Sequence, residues 1–365
     1  MKPKNIYIDA NIVDLPETLK FKGFFKDTPC LIVNDVKELF ENIQNANDPI
    51  QKGKETIFLT QNKGAFIKKC PGTSYYNCCG YKILHIGTFC NMDCSYCILQ
   101  AYFHPPIMQY FVNHEALLEE LNAEFASNTV SRIGTGEFTD SMIWERWTDL
   151  SKLLVPLFAN QTSSILELKT KTVLIDNLKN LKHNRKTILA WSLNTDFIVK
   201  TEERYTASIN QRLKAAKLCE SWGYPIAFHF DPLVIYEGCE QDYRNIIARI
   251  FDYVKPENIA WISIGSFRHM PLLKPIIQKR FPDSKIIYGE FILGLDGKMR
   301  YFKPLRISLY QTIVSAIKDF SKDILVYFCM EDDEVWEKTF GFIPKEKRDL
   351  NLMLDESAIK HCGLN

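Results

Sequence analysis

From about residue 80 the chain alternates strand-like apolar runs with amphipathic stretches, and this alternation limits the possible fold more than any other feature. The strand candidates are 81–86, 131–137, 165–171, 187–194, 226–233 and 259–266. Between them, 115–125, 141–158, 176–182, 209–222 and 241–254 carry helical periodicity. Repeated βα units imply parallel strands, because a crossover must return the chain to the same end of the sheet. Six units in about 190 residues match the ~30 residues of a βαβ unit. A closed eight-unit barrel takes about 250 residues. The expectation is an α/β protein built on a partial, open (β/α)6 TIM-type barrel over 76–270.

The two ends read differently. An N-terminal α/β region over 1–75 holds strands at 29–33 and 56–59, a helix at 36–43 capped by Asn34 or Asp35, and a polar loop at 45–54. A C-terminal extension over 271–365 holds a hairpin near 286–302, with arms 285–290 and 295–301 turning at Asp296-Gly297. A helix at 305–320, a strand at 324–329 and an irregular polar tail complete it.

Parallel strands covered on both faces should be near-continuous apolar runs. Three here are not. Glu167, Lys169 and Lys171 share one face of 165–171; Ala190, Ser192 and Asn194 share one face of 187–194; Ala227, His229 and Asp231 share one face of 226–233. The opposite faces, with Leu166, Leu168, Trp191, Leu193, Phe228 and Phe230, suit packing under outer helices. Buried charge without a partner is costly. The polar faces therefore predict a functional lumen, open at the C-terminal strand ends where barrel enzymes place their active sites. The alternative is that these strands face solvent.

Cys90, Cys94 and Cys97 form a C-x₃-C-x₂-C cluster just past the first strand, at that same mouth. Three thiolates on one loop suit an iron–sulfur cluster with one iron left open. Zinc, completed by His85 and His104, and plain buried thiols are the alternatives. Eleven cysteines, an odd number, in 365 residues form no disulfide framework and point to a reducing cytoplasm. The start, from Met1 to Asn5, lacks the apolar core of a signal peptide, and no run is long enough for a membrane helix. Net charge is +1, so no global basic field exists, and Lys2–Lys4, Lys20–Lys26, Lys68-Lys69 and 298–306 read as solvated faces.

Further motifs accompany the triad: Cys70-Pro71-Gly72-Thr73, Cys78-Cys79-Gly80-Tyr81, Asp93 to Gln100, Gly134-Thr135-Gly136-Glu137-Phe138-Thr139-Asp140, His229-Phe230-Asp231-Pro232 and Asp296 to Tyr301. In this order they resemble the spore photoproduct lyase family of the radical S-adenosylmethionine superfamily, as a wider-family member rather than the spore enzyme. The resemblance implies a four-iron four-sulfur (4Fe-4S) cluster on Cys90, Cys94 and Cys97, with S-adenosyl-L-methionine on its open iron. Reductive cleavage then gives a 5′-deoxyadenosyl radical that abstracts hydrogen from a DNA photoproduct. A reductant such as flavodoxin or ferredoxin and a nucleic-acid partner follow from the same likeness.

The resemblance also assigns residues. Tyr96 lies beside the cofactor, and Lys171, Ser192 and Thr139 fall on cofactor-contacting positions. Arg300 and Tyr301 fall on a hairpin pair that meets the lesion. Beside this, Gly136 and Glu137 suit the cofactor's amino group, Lys171 its carboxylate, and Ser192 and Asn194 its ribose hydroxyls. Asp231 completes the cofactor set, and His229 and Asp231 face the substrate. Tyr96 and Glu137 are the catalytic candidates. Two departures stand out: the family enzyme's hydrogen-donating cysteine falls at Glu137, and a tyrosine of its radical relay falls at Ile98. Cys70, Cys78 and Cys79 read as structural, against a second cluster or a replacement hydrogen source. Competing readings are radical chemistry on RNA, a nucleotide or a peptide, and a non-enzymatic iron–sulfur nucleic-acid-binding module.

Overall fold

The computed structural model describes residues 3–25, 28–72, 75–127, 129–347 and 349–364. Lys2, Lys26 and Thr73, which belong to basic stretches and a motif named above, lie outside the described residues. The six expected barrel strands form in the expected order: Lys82–Leu84, Ser131–Gly134, Ser164–Thr170, Thr187–Ser192, Ile226–Leu233 and Ile259–Ser266. All neighbouring pairs among them are parallel. The sheet is longer than expected at both edges. Leu325–Phe328 adds a seventh parallel strand beside Ile259–Ser266, and Ile67–Lys69 adds an antiparallel one beside Lys82–Leu84.

A second sheet sets the position of the cysteine loop. Its order is Cys30–Val33, Asn5–Asp9, Thr56–Thr60, Met108–Phe111, Gly87–Thr88. The chain leaves the barrel after Leu84 and pairs into this second sheet at Gly87–Thr88. It then forms the cysteine loop and returns to the same sheet at Met108–Phe111. Both ends of the loop are therefore tied to the N-terminal sheet.

Several local expectations need correction. The loop at 45–54 contains the helix Pro49–Lys54, started by Asp48, whose side chain accepts from the Gln51 N–H at 2.9 Å. The second strand stops at Gly134 rather than 137, and Gly134 leaves room for the Tyr81 hydroxyl, which would lie 1.6 Å from a Cβ there. The stretch 141–158 breaks into a 3-10 turn at Ile143–Arg146 and a helix at Leu150–Ala159, and 176–182 keeps only the turn Asp176–Leu178. The first hairpin arm is Phe291–Leu293, not 285–290, and pairs with Met299–Tyr301.

The tail is helical rather than irregular. Asp333–Phe340 and Leu350–Cys362 are capped by the side chains of Asp332 and Asp349. The last helix closes the barrel's flank: Ser357 Oγ donates to the Ala260 carbonyl at 2.6 Å, and Arg132 reaches Asp355 at 2.7 Å. Among the described residues no helix is long and apolar enough to cross a membrane.

Two histidines, His85 half-buried and His361 buried, make the fold pH-sensitive. Burial, assisted by Lys68, brings His85 down to about 4. Burial, assisted by Lys360 and Arg185, does the same to His361. In the unfolded chain both protonate near their ordinary value of about 6.5. Between these values the unfolded state binds more protons, so stability falls as pH drops through that window. Urea midpoints measured from pH 7 to pH 4 should decline, and His361→Gln should flatten the decline.

Candidate active site

The cysteine loop is held by charge on two sides. Lys54, fully buried, donates to the carbonyls of Cys90 (3.0 Å) and Met92 and lies 3.7 Å from the Asp93 carboxylate. Arg280, from the helix Leu273–Arg280, grips the same carboxylate at 3.0 and 3.3 Å. Gln100 donates to the carbonyls of Ser95 and Cys94 at 2.9 and 3.1 Å. The loop's polar backbone is thereby satisfied internally, which a buried loop requires.

All eleven cysteines are free thiols. Burial pushes the Cys90 thiol up to about 12, with Asp140 and Cys97 adding to the rise, and pushes the Cys94 thiol up as well, with Glu203, Cys97 and Cys90 adding to it. Lys54 works against this at Cys90 and Lys171 at Cys94. Among the described residues no three Cys, His, Asp or Glu side chains converge on the position of a single ion. A cluster differs in taking each thiolate at a separate iron. His85 and His104 do not complete the triad. The His85 ring meets Lys68 Nζ at 2.9 Å and stands edge-on to Phe111 and Phe138, and His104 is exposed.

Behind the loop lies a buried ion pair. Tyr96 donates its hydroxyl proton to the Glu203 carboxylate, which also pairs with Arg212. Arg212 is fully enclosed and donates to the carbonyls of Ser192 (2.8 Å) and Ala207 (2.9 Å). Burial acts to raise the Glu203 carboxyl, but Arg212, Lys171 and the hydrogen bonds outweigh it and hold the group below its ordinary range. Lys171 Nζ lies 5.7 Å from the centre of the Tyr96 ring. Tyr96, Lys171 and Ser192, three of the expected cofactor residues, thus meet around one charge network.

The polar strand faces turn into the lumen. Glu167 accepts from His229 Nε2 at 2.7 Å and from Trp261 Nε1 at 3.2 Å. The carboxylate has no proton to give, so Nε2 carries the hydrogen. Glu167 therefore pairs with His229. Lys169 is the lysine that crosses the lumen, 3.4 Å from Glu137. Asp231 is held by Arg268 at 3.2 and 3.3 Å, and Arg268 also reaches Cys329 Sγ at 3.4 Å.

Other expected residues have different surroundings. Gly136 abuts Lys169, whose Cβ would stand 3.0 Å from a Cβ at that position. Thr139 is buried and accepts from Trp144 Nε1 at 3.1 Å. The Asn194 amide donates to the Pro232 carbonyl at 2.7 Å and accepts from Tyr243 and the Thr195 N–H, both at 2.9 Å. It braces two strand ends and has little capacity left for a ribose. Arg300 and Tyr301 do not present themselves on the hairpin surface. Arg300 is 1% exposed, bound to Asp296 at 2.8 Å and to the Met330 carbonyl at 3.1 Å, and lies 4.0 Å over the Tyr76 ring. Tyr301 is buried, stacks on Phe291 and accepts from the Ile235 N–H at 3.3 Å. The hairpin's exposed side chains are Ile292, Leu293 and Leu295.

Lys54, Lys169, Glu203, Arg212, Arg268, Arg280 and Cys329 went unassigned in the sequence. Only two left a signal there: Lys169 shared its strand face with Lys171, and Cys329 ended a predicted strand. Cys329 sits just past the seventh parallel strand, where its N–H continues the ladder to Ile264 at 3.1 Å. Cys78 and Cys79 hydrogen-bond each other, lowering Cys78 to about 6 and raising Cys79.

The family model for spore photoproduct lyase matches residues 1–301. The spore photoproduct lyase of Bacillus subtilis is 24% identical over 315 residues, spanning 82% of this chain and 86% of that protein. That of Clostridium acetobutylicum is 24% identical over 255 residues, 69% and 72% of the two chains. A solved spore photoproduct lyase mutant with bound AdoMet and dinucleoside spore photoproduct superposes with a TM-score of 0.79 at 20% identity. That match covers 89% of this chain and 98% of that one. A second mutant with the dinucleoside gives 0.80 over the same shares. The solved structures share the fold.

Removing Glu203 would strand both a buried guanidinium and a buried hydroxyl. Breaking a buried pair from one side costs about 3–5 kcal/mol. Glu203→Ala should lower unfolding stability by that order, measured by urea denaturation. Arg212→Met with Glu203→Met together should cost less than the sum of the single changes.

Proposed function

This chain belongs to the spore photoproduct lyase family, and on that footing we propose that it is a radical S-adenosylmethionine enzyme that reverses a DNA photoproduct. One observation carries the reading: three neighbouring free thiols on a braced loop open onto a charged barrel lumen, with Tyr96 and Lys171 between them. The donor set fits a four-iron cluster, since three thiolates leave one iron for an outside ligand and metal coordination deprotonates thiols that burial alone keeps protonated. When bound, the cluster and S-adenosylmethionine supply an adenosyl radical.

The chain's residues then bind, orient and shield. Lys171 neutralises the cofactor carboxylate, Glu137 and the backbone at Gly136 receive its amino group, and Ser192 meets its ribose. Tyr96, locked to Glu203, forms the wall behind it. The buried bonds of Thr139 and Asn194 make them braces for these contacts. Glu167–His229 and Asp231–Arg268 line the substrate side as two fixed charge pairs, and a preformed polar site needs little reorganisation when the reaction occurs. Cys329 is a thiol of the lumen: burial raises it to about 11 despite Arg268 beside it, so at neutral pH it keeps the S–H that can return a hydrogen atom to a carbon radical. The exposed apolar hairpin tip suits contact with a base, with Arg300 as its internal strut.

A second reading, the same chemistry on RNA, a nucleotide or a peptide, is favoured by one observation. Glu137, paired to Lys169, falls by the resemblance at about the position of the family enzyme's cysteine. Electron supply falls to a small reductant such as a flavodoxin or ferredoxin.

Anaerobic reconstitution should load about four irons per chain, and the triple replacement of Cys90, Cys94 and Cys97 by Ala should abolish this. Iron retained in that variant would refute the cluster assignment. With reductant, S-adenosylmethionine and a photoproduct dinucleotide, the wild type should yield both 5′-deoxyadenosine and thymine. Cys329→Ala should still release 5′-deoxyadenosine but give several-fold less thymine per molecule of it. Release of 5′-deoxyadenosine by the wild type with no thymine would favour the second reading.

A further inference from the structure

The N-terminal sheet reaches under the cysteine loop with a buried cation. Lys54 ends the helix Pro49–Lys54 and is 1% exposed. Its neighbour Gly53 presses on the chain at the far end of the loop: a Cβ there would meet the Pro106 carbonyl oxygen at 1.5 Å. Only glycine permits that approach, and the approach carries Lys54 beneath Cys90.

Four groups surround Nζ. It donates to the carbonyls of Cys90, at 3.0 Å, and Met92, and it lies 3.7 Å from the Asp93 carboxylate and 4.6 Å from the centre of the Phe89 ring. All four are electron-rich, and none donates to it. Such a shell suits an ammonium. Phe89 itself takes a positive φ of 65°, a backbone state that side-chain-bearing residues adopt at a cost and that surrounding contacts must maintain.

Lys54 and Arg280 face two carboxylates, Asp93 and Asp48, so the four side chains are neutral as a whole, but Lys54 is the member that bonds the Cys90 and Met92 carbonyls. Asp93 is shared with Arg280, which also reaches Asp48 at 3.2 Å. Lys54 therefore presents its charge to the turn that begins at Cys90. An iron–sulfur cluster gains negative charge on reduction, and its potential responds to nearby charge and burial. In a water-poor site that response is strong.

We propose that Lys54 is a positioning residue that seats the Cys90–Met92 turn and, by its buried charge, raises the reduction potential of the iron–sulfur cluster. The inference rests on the cluster assignment above. It makes the N-terminal sheet a determinant of how readily the cluster accepts its electron.

The test is an EPR-monitored redox titration of the full-length, anaerobically reconstituted protein as wild type, Lys54→Gln and Lys54→Arg. Glutamine keeps a donor for the carbonyls but no charge; arginine keeps the charge. With iron content near wild type, Lys54→Gln should titrate at a more negative midpoint. At the wild-type midpoint its ratio of reduced to oxidised clusters should fall roughly tenfold, about 59 mV for a one-electron couple. Lys54→Arg should stay near the wild type.

A fully loaded Lys54→Gln with the wild-type midpoint overturns the inference. If Lys54→Gln sheds its iron, Lys54→Arg decides: a loaded cluster at the wild-type midpoint supports the charge role. Loss of iron in Lys54→Arg, or a displaced midpoint, overturns it. A wild type that takes up no iron on the three cysteines defeats the cluster assignment and this inference with it. A loaded wild type whose potential ignores the charge at this position defeats the inference alone.

Discussion

Glu203 is an enclosed carboxylate with two obligatory partners, and much of the site depends on it. Arg212 reaches it from the helix Ile209–Ser221 and, with its other nitrogens, holds the carbonyls of Ser192 and Ala207. Tyr96 reaches it from the cysteine loop. One carboxylate thus joins an outer helix, the end of the fourth barrel strand and the loop that carries the thiols. A buried charge tolerates few arrangements, because each lost bond leaves an uncompensated ion in a low-dielectric interior. The pair adds little net stability over an apolar replacement; its consequence is geometric definition.

The same logic runs through the lumen. Glu167 has His229 and Trp261, Asp231 has Arg268, and Glu137 has Lys169. Each carboxylate faces a donor from a different strand or loop, so the lumen's polarity also fixes the relative positions of the strands. Around it the sheet is otherwise apolar, with Leu166, Leu168, Trp191 and Phe228 buried beneath the helices. Charge inside and hydrocarbon outside is the reverse of a surface strand, and the cost of that inversion is offset by the partners of Glu167, Asp231 and Glu137.

The parallel core was legible because its signals are local. Two-residue alternation exposed the polar faces, and three cysteines within eight residues stand out without any tertiary information. What the sequence could not show was partnership over distance. Lys54 meets the Cys90 carbonyl across 36 residues and Tyr96 meets Glu203 across 107, and neither spacing carries a period. Arg300 and Tyr301 were assigned to the lesion by the family resemblance, which carries no information on which way this hairpin's side chains turn. Asp296 and the Met330 carbonyl instead fold the arginine inward. The helical tail was missed for a different reason. Its caps, Asp332 and Asp349, were visible, but its apolar positions, such as Leu350, Leu354 and Ala358, find their burial only once the barrel flank is there to receive them.

The threading of the cysteine loop has a mechanical consequence. The strand before it, Lys82–Leu84, belongs to the barrel, while Gly87–Thr88 and Met108–Phe111 belong to the other sheet. The thiols are thus carried by a span whose anchor is one sheet and whose working face is the other. Sliding of one sheet against the other would alter the triangle of sulfurs before it disturbed either hydrophobic core. Stiffness between the sheets and the spacing of the three sulfurs are then a single property, and packing changes far from any cysteine would be felt as changes in that spacing.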